Sequence, residues 1–283
     1  MADFPELGIR AERSAYQPAE MIRASVLLAP HQNLTIRRGT ARLLCVGDYS
    51  GASSKYHSGK AQVIHFEQEQ SFAETTRVIQ GDQREYELLF AIPEGAIPSY
   101  KGRIINVAWK LLGKLDIPRG ADRISETPIE VLRTMLPGNV DLEMPRRGSV
   151  CAVEFELISQ WIAADAVLEG AVLVRPKQDL RITAATLELV RVELVYTGTV
   201  TRPNRVKEKI LEIGRSGDAL RGRTERLGFR ISLPANAQPF LAVPQARAYY
   251  ELRAKIAVKS HIDCATSVPL LIYNTPIAVF TDR

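Results

Sequence analysis

The chain has 283 residues, 46% hydrophobic and 24% charged, with a formal charge of +5. At about 150 residues per domain that is material for two cores, which excludes wholesale disorder. The 18 glycines and 16 prolines are ordinary usage and exclude collagen-like or low-complexity architecture, and apolar runs such as 24–30 and 184–190 fall well short of the roughly 20 residues a spanning helix needs.

The first residues, Met1 to Glu6, lack a basic stretch followed by an apolar one, so no cleaved secretion signal is expected and the chain is placed in the cytoplasm. Cys45, Cys151 and Cys264 are odd in number and widely spaced, which does not read as a disulfide framework and fits a reducing compartment.

Period-two alternation dominates. In 20–28, Ile22, Ala24, Val26 and Leu28 share one face, with Arg23, Ser25 and Leu27 on the other. The same reading predicts strands over 36–46, 62–66, 84–92, 104–112, 150–159, 168–174, 182–195, 226–233 and 249–258, with 127–135 a strand rather than a helix. Turn residues separate most of them, among them Pro30, Gly39, Gly47, Pro176 and Pro234. No long window carries a helical apolar stripe, so the chain reads as all-β, built of sandwiches or barrels.

The chain also matches itself. Ala19 to Pro30 aligns with Asp165 to Pro176 at an offset of 146, and the register continues through Ile36 with Ile182, Thr40 with Thr186 and Leu43 with Leu189. Further on, Phe90 to Pro93 aligns with Ile231 to Pro234, Pro98 with Pro239 and Trp109 with Tyr250, now at an offset of 141. Five residues are lost between the blocks of the second copy, as a surface loop tolerates. Strand signals thin over 135–147, where Pro137, Gly138, Pro145 and Gly148 supply breakers. The predicted domains are therefore 1–141 and 142–283.

Tyr16-Gln-Pro-Ala-Glu before a strand, and the later Phe90-Ala-Ile-Pro, Pro98-Ser-Tyr-Lys-Gly102 and Trp109-Lys-Leu, resemble the arrestin family. Lys114 to Pro118 is similar to the continuation in its bacterial and archaeal members, including the sporulation-control group. The resemblance implies two tandem immunoglobulin-like β-sandwich domains and an adaptor role. Ala19 stands where the family's first turn has glycine, no Pro-Pro-x-Tyr motif is present, and the chain stops soon after its expected last strand, so a C-terminal latch is not expected.

No catalytic constellation is found, and no enzyme, cofactor or metal is predicted. Gly47-Asp-Tyr-Ser-Gly51 is not a nucleophile elbow, and Ser58-Gly-Lys60 lacks the rest of a phosphate-binding loop. His261, Asp263 and Cys264 are ligand types, but His31, His57 and His65 offer them no close partner; the reading is an exposed turn before a buried cysteine. Trp109, Trp161, Tyr249 and Tyr250 are expected to fill cores.

Charge carries the functional expectation. From 202 to 230 there are nine basic residues against Glu208, Glu212, Asp218 and Glu225. Arg202, Arg205, Lys207, Lys209, Arg215, Arg221, Arg223 and Arg226 flank Gly214 to Gly217, which reads as a hairpin or long loop. The leading expectation is a non-enzymatic cytoplasmic adaptor or scaffold whose exposed sheet edges hold a protein partner through acidic or phosphorylated segments. The alternative is a peripheral membrane module that touches anionic lipid through this basic loop. The plain counter-reading is an edge strand charged to prevent aggregation. Nucleic acid is not expected, because no aromatics interleave with the basic residues.

Overall fold

The structure, a computed structural model, describes residues 7–50, 60–133, 150–196, 203–214, 216–234 and 236–274. These are all-β, without a helix among them. Two compact units divide the chain, one of Met1–Lys101 with Ile105–Arg133 and the other of Gly102–Ile104 with Thr134–Arg283. The cut expected near 142 falls outside the described residues.

The first unit contains β1 (Leu7–Ala11), β2 (Ala15–Tyr16), β3 (Met21–Leu28), β4 (Leu34–Ile36), β5 (Arg38–Ser50), β6 (Lys60–Ala73), β7 (Thr76–Val78), β8 (Arg84–Ala91), β9 (Tyr100–Lys101), β10 (Ile105–Asp116) and β11 (Arg123–Val131). One sheet has the order β1-β3-β8 and the other β2-β11-β10-β5-β6, with β9 on β10; β4 pairs with β7. Ile22, Val26 and Leu28 of β3 and Phe90 of β8 are buried, as are Leu43 of β5 and Trp109 and Leu111 of β10. Alternation thus turns one face of each sheet inward, and burying those faces drives the packing.

The second unit contains β12 (Cys151–Leu157), β13 (Trp161–Ala163), β14 (Val167–Pro176), β15 (Leu180–Val195), β16 (Asn204–Gly214), β17 (Gly217–Ala219), β18 (Glu225–Ser232), β19 (Leu241–Val243), β20 (Ala246–Val258) and β21 (Cys264–Tyr273). Its sheets run β12-β14-β18 and β13-β21-β20-β15-β16, with β17 on β15 and β19 on β20. Val172, Val174, Phe229 and Ile231 from the smaller sheet share a core with Leu187, Leu189, Leu252 and Leu270 from the larger. The architecture is β-sandwich-like.

Strand for strand, the second order repeats the first, with β15 spanning what β4 and β5 divide. The turns repeat as well. Gly81 N–H donates to Pro30 C=O at 3.2 Å and Gln80 N–H to Asn33 Oδ1 at 3.0 Å; Gly222 N–H donates to Pro176 C=O at 3.4 Å and Arg221 N–H to Asp179 Oδ1 at 2.8 Å. Gly81 and Gly222 both take positive φ, 87° and 77°, which glycine adopts without cost.

One expectation is corrected. Cys151 and Cys264 form a disulfide, with Cα atoms 6.4 Å apart, that ties β12 of the smaller sheet to β21 of the larger. Residues 113 apart in sequence meet because the fold brings the starts of these two strands together, which spacing alone does not reveal. Cys45 is free and buried.

Candidate functional site

The predicted basic residues do not form one patch. Arg202 and Arg215 lie outside the described residues. Arg205, Lys207 and Lys209 are exposed at alternate positions of β16, the outermost strand of its sheet. Two of them are answered by carboxylates on the same face: Lys207 Nζ lies 2.7 Å from Glu188, and Arg205 Nε 3.7 Å from Glu251. Glu251 is 1% exposed. Burial raises its pKa, but hydrogen bonds from Arg253 and Ser267 and the charges of Arg253 and Arg205 outweigh this and hold the carboxyl below its ordinary value. Arg226, on β18, grips Glu156 through both Nε and Nη2. Arg221 and Arg223 lie elsewhere, in the exposed turn between β17 and β18. Among the described residues Lys209, Arg221 and Arg223 have no carboxylate partner.

A groove of about 580 Å³ on this face is lined by Glu188, Arg205, Glu251, Arg253, Lys255 and Asp263. Arg253 pairs with Glu251 at 2.8 Å and Lys255 with Asp263 at 3.0 Å. Its lining charges therefore answer one another and make no net demand on a ligand.

The sandwich flanks are more informative. In the first unit both are closed by side chains bonded to the smaller sheet's edges. On one flank Ile9 N–H donates to Ser125 Oγ at 3.2 Å, and Thr127 Oγ1 donates to Ile9 C=O. On the other, Ala91 N–H donates to Gln68 Oε1 at 3.2 Å and Gln70 Nε2 donates to Leu89 C=O. Among the described residues the second unit shows no counterpart of this last seal. Gln68 lies opposite Leu43 as Lys209 lies opposite Leu189, and Gln70 opposite Ala41 as Leu211 opposite Leu187. Likewise Ala91 and Leu89 correspond to Ser232 and Arg230. Leucine has no polar atom to offer Arg230 C=O. Lysine cannot accept from Ser232 N–H, and Lys209 Nζ reaches only Ser232 Oγ at 3.4 Å. Among the described residues, the main chain of β18 at Arg230 to Ser232 thus shows no side-chain cap like the one its counterpart carries.

Cys45 is pushed up to about 12 by burial, far from a reactive thiolate. Near it Tyr49 Oη bonds His65 Nε2 at 2.5 Å, and a Cβ on Gly47 would come within 2.6 Å of that nitrogen. Among the described residues no group of three or more His, Cys, Asp or Glu is placed to hold a metal ion. His261 faces Gln178, Asp263 is engaged by Lys255 and Cys264 by Cys151, so the three do not converge. Trp109 and Tyr250 are buried in the cores, while Trp161 and Tyr249 join a smaller cluster with Phe240, Val190 and Val192. No helix among the described residues is long and apolar enough to cross a membrane.

No protein-family model matches the chain, and no curated protein matches it significantly.

Proposed function

We propose that the chain is a non-enzymatic adaptor of arrestin-like fold, two tandem immunoglobulin-like sandwiches, that takes an extended segment of a protein partner along β18. The observation that supports this reading is that, among the described residues, no side chain caps Arg230 C=O or Ser232 N–H, where the sister unit closes the same positions with two glutamines. Main-chain pairing would supply affinity, and Lys209, the β16 cation without a carboxylate, favours an acidic or phosphorylated residue in the incoming strand.

The test transplants the seal. Lys209→Gln with Leu211→Gln gives β16 the first unit's chemistry and closes the edge; because Leu211 is half-buried against the core, the urea midpoint of the variant is measured beside the capture. A photo-crosslinking residue at position 232 should capture a polypeptide in the original background and lose it in the sealed variant. Capture that is unchanged by the two glutamines, or no polypeptide captured in either background, refutes the reading.

A further inference from the structure

We propose that His65 is a proton-operated latch on the first unit's glutamine seal. Two bulges set the register of β6 against β5. Between Cys45 and Val46 the pairing skips His65, and between Gly39 and Thr40 it skips Phe72, which leaves 66–71 paired with 40–45 in between. Each skipped side chain occupies space that a glycine of β5 leaves open: a Cβ on Gly39 would come within 2.6 Å of the Phe72 ring, and one on Gly47 within 2.6 Å of His65 Nε2. Gln68 and Gln70, which cap Ala91 N–H and Leu89 C=O of β8, lie in the stretch so bracketed. A bulge fixes which face a strand's residues occupy, because a slip of one residue turns each of them to the other side. Holding His65 in place therefore holds the seal.

One of the two brackets is titratable. His65 is half-buried, and its Nε2 lies 2.5 Å from the hydroxyl of Tyr49, which is buried. In the neutral ring Nε2 accepts from that hydroxyl. Protonation turns Nε2 into a donor, leaves the tyrosine's hydrogen without an acceptor in a buried place, and adds a cation. Among the described residues around it no anion answers that cation. Burial, then the neighbouring Cys45 and Asp48, push Tyr49 up to about 12, so it stays neutral. Burial does the same to Cys45, and Val107 of β10 lies opposite Gly47. Asp48, on the other face of β5, accepts from Gln62 Nε2 at 2.9 Å, and Glu67, further along β6, is held by Arg42 at 3.1 Å. The second unit marks the difference: its bulge at Leu189/Val190 skips Glu208, which Arg191 holds at 3.2 Å, so an ion pair stands there in place of a histidine. With the seal released, Ala91 N–H and Leu89 C=O lose their caps and the first unit offers an edge like the one proposed for β18. The latch itself does not require that reading.

Hydrogen exchange of the whole chain, followed amide by amide and corrected for the intrinsic pH dependence of exchange, tests it. An open form that takes up a proton at the ordinary histidine pKa of about 6.5 gains about tenfold in population between roughly pH 7.5 and 5.5, so Ala91 N–H should exchange about tenfold faster at the lower pH. Urea well below the unfolding transition should leave that rate unchanged, because the opening exposes little surface, while exchange at the buried Leu111 of β10 rises with urea. In His65→Gln, whose amide oxygen can accept from Tyr49 but takes up no proton, the pH effect at Ala91 should vanish. Gln68→Ala with Gln70→Ala should also abolish it, with fast exchange at both pH values, because no seal remains to release. An equal acceleration in His65→Gln, a pH effect that persists without the two glutamines, or an acceleration at Ala91 with the full urea dependence of Leu111 would each overturn the inference.

Discussion

Removing the disulfide should split the behaviour of the two units. Cys151 and Cys264 are 113 residues apart, and closing a loop of that length lowers the entropy of the unfolded chain by an amount worth about 4.8 kcal/mol. A domain has only about 5–15 kcal/mol of net stability, so the second unit should lose about a third of its own or more. The chain supplies its own reporters, since its two tryptophans fall one to each unit, Trp109 in β10 and Trp161 in β13. Urea unfolding followed by fluorescence in Trp109→Phe and Trp161→Phe backgrounds reads each unit separately. With a slope of roughly 2 kcal/mol per molar urea, Cys151→Ala with Cys264→Ala should lower the Trp161 midpoint by about 2.4 M and leave the Trp109 midpoint in place. Reducing the unmutated chain with a dithiol should reproduce the shift without deleting any side-chain atoms, which separates the cross-link from packing. A Trp161 shift below about 1 kcal/mol, or equal shifts at both tryptophans, would refute the reasoning.

Three further outcomes follow from the first unit. Ala19 has φ 67°, a left-handed conformation that costs an L-residue roughly 1–2 kcal/mol, so Ala19→Gly should raise stability by about 0.5–1 kcal/mol net of glycine's greater unfolded entropy; a lowered thermal midpoint would contradict this. Burial lowers the His65 pKa from 6.5. As pH falls below 6.5 the unfolded chain takes up a proton that the folded chain does not, so stability falls across that window, and His65→Gln should flatten the slope by His65's share. Gln68→Ala with Gln70→Ala removes two caps from β8 and should cost about 1–3 kcal/mol in the first unit's urea transition; faster hydrogen exchange at Ala91 should accompany it.

What the sequence discloses follows element length and polarity. Strands such as β3, β8, β10 and β14, with one face buried, announce themselves by alternation, and 127–131 lies within β11 as expected. Strands of two or three residues, β2, β9 and β13 among them, are too short to show a period. β16 reads as a loop because neither of its faces is fully buried and a bulge at Leu189/Val190 leaves Lys209 and Ile210 both exposed. β21 hides its period behind Pro269 and the buried run Leu270 to Ile272. The positive φ of Ala19 is not legible in the sequence, although a turn after Tyr16-Gln-Pro is. The cations of the candidate site are countable in the sequence, but the carboxylates that answer them, Glu156, Glu188 and Glu251, arrive from other strands. The seal was equally hidden, since nothing in Gln68 or Gln70 says that a neighbouring strand's backbone lies within reach.

The duplication converts that hidden information into a comparison. Two units with one strand order and matching turn bonds let equivalent positions be compared directly, and where their chemistry diverges their neighbours diverge with them. Cys45 and Gly47 lie opposite Trp109 and Val107; their counterparts Arg191 and Glu193 lie opposite Tyr250 and Ala248. The first unit thus keeps space at Gly47 for the Tyr49 and His65 pair, while the second buries Glu193 completely beside Arg191, at 3.5 Å, with Glu208 3.2 Å from the same guanidinium nitrogen. The Glu193 carboxylate also accepts from the N–H groups of Arg103, at 2.9 and 3.1 Å, and Ile104, at 2.7 Å, so its burial is offset by hydrogen bonds that Gly47 has no side chain to make. Among the described residues the glutamine seal has no counterpart in that same copy. The proposed contact along β18 is therefore tested by exchanging the seal between the two units, since the first keeps the glutamines at the positions where the second has Lys209 and Leu211.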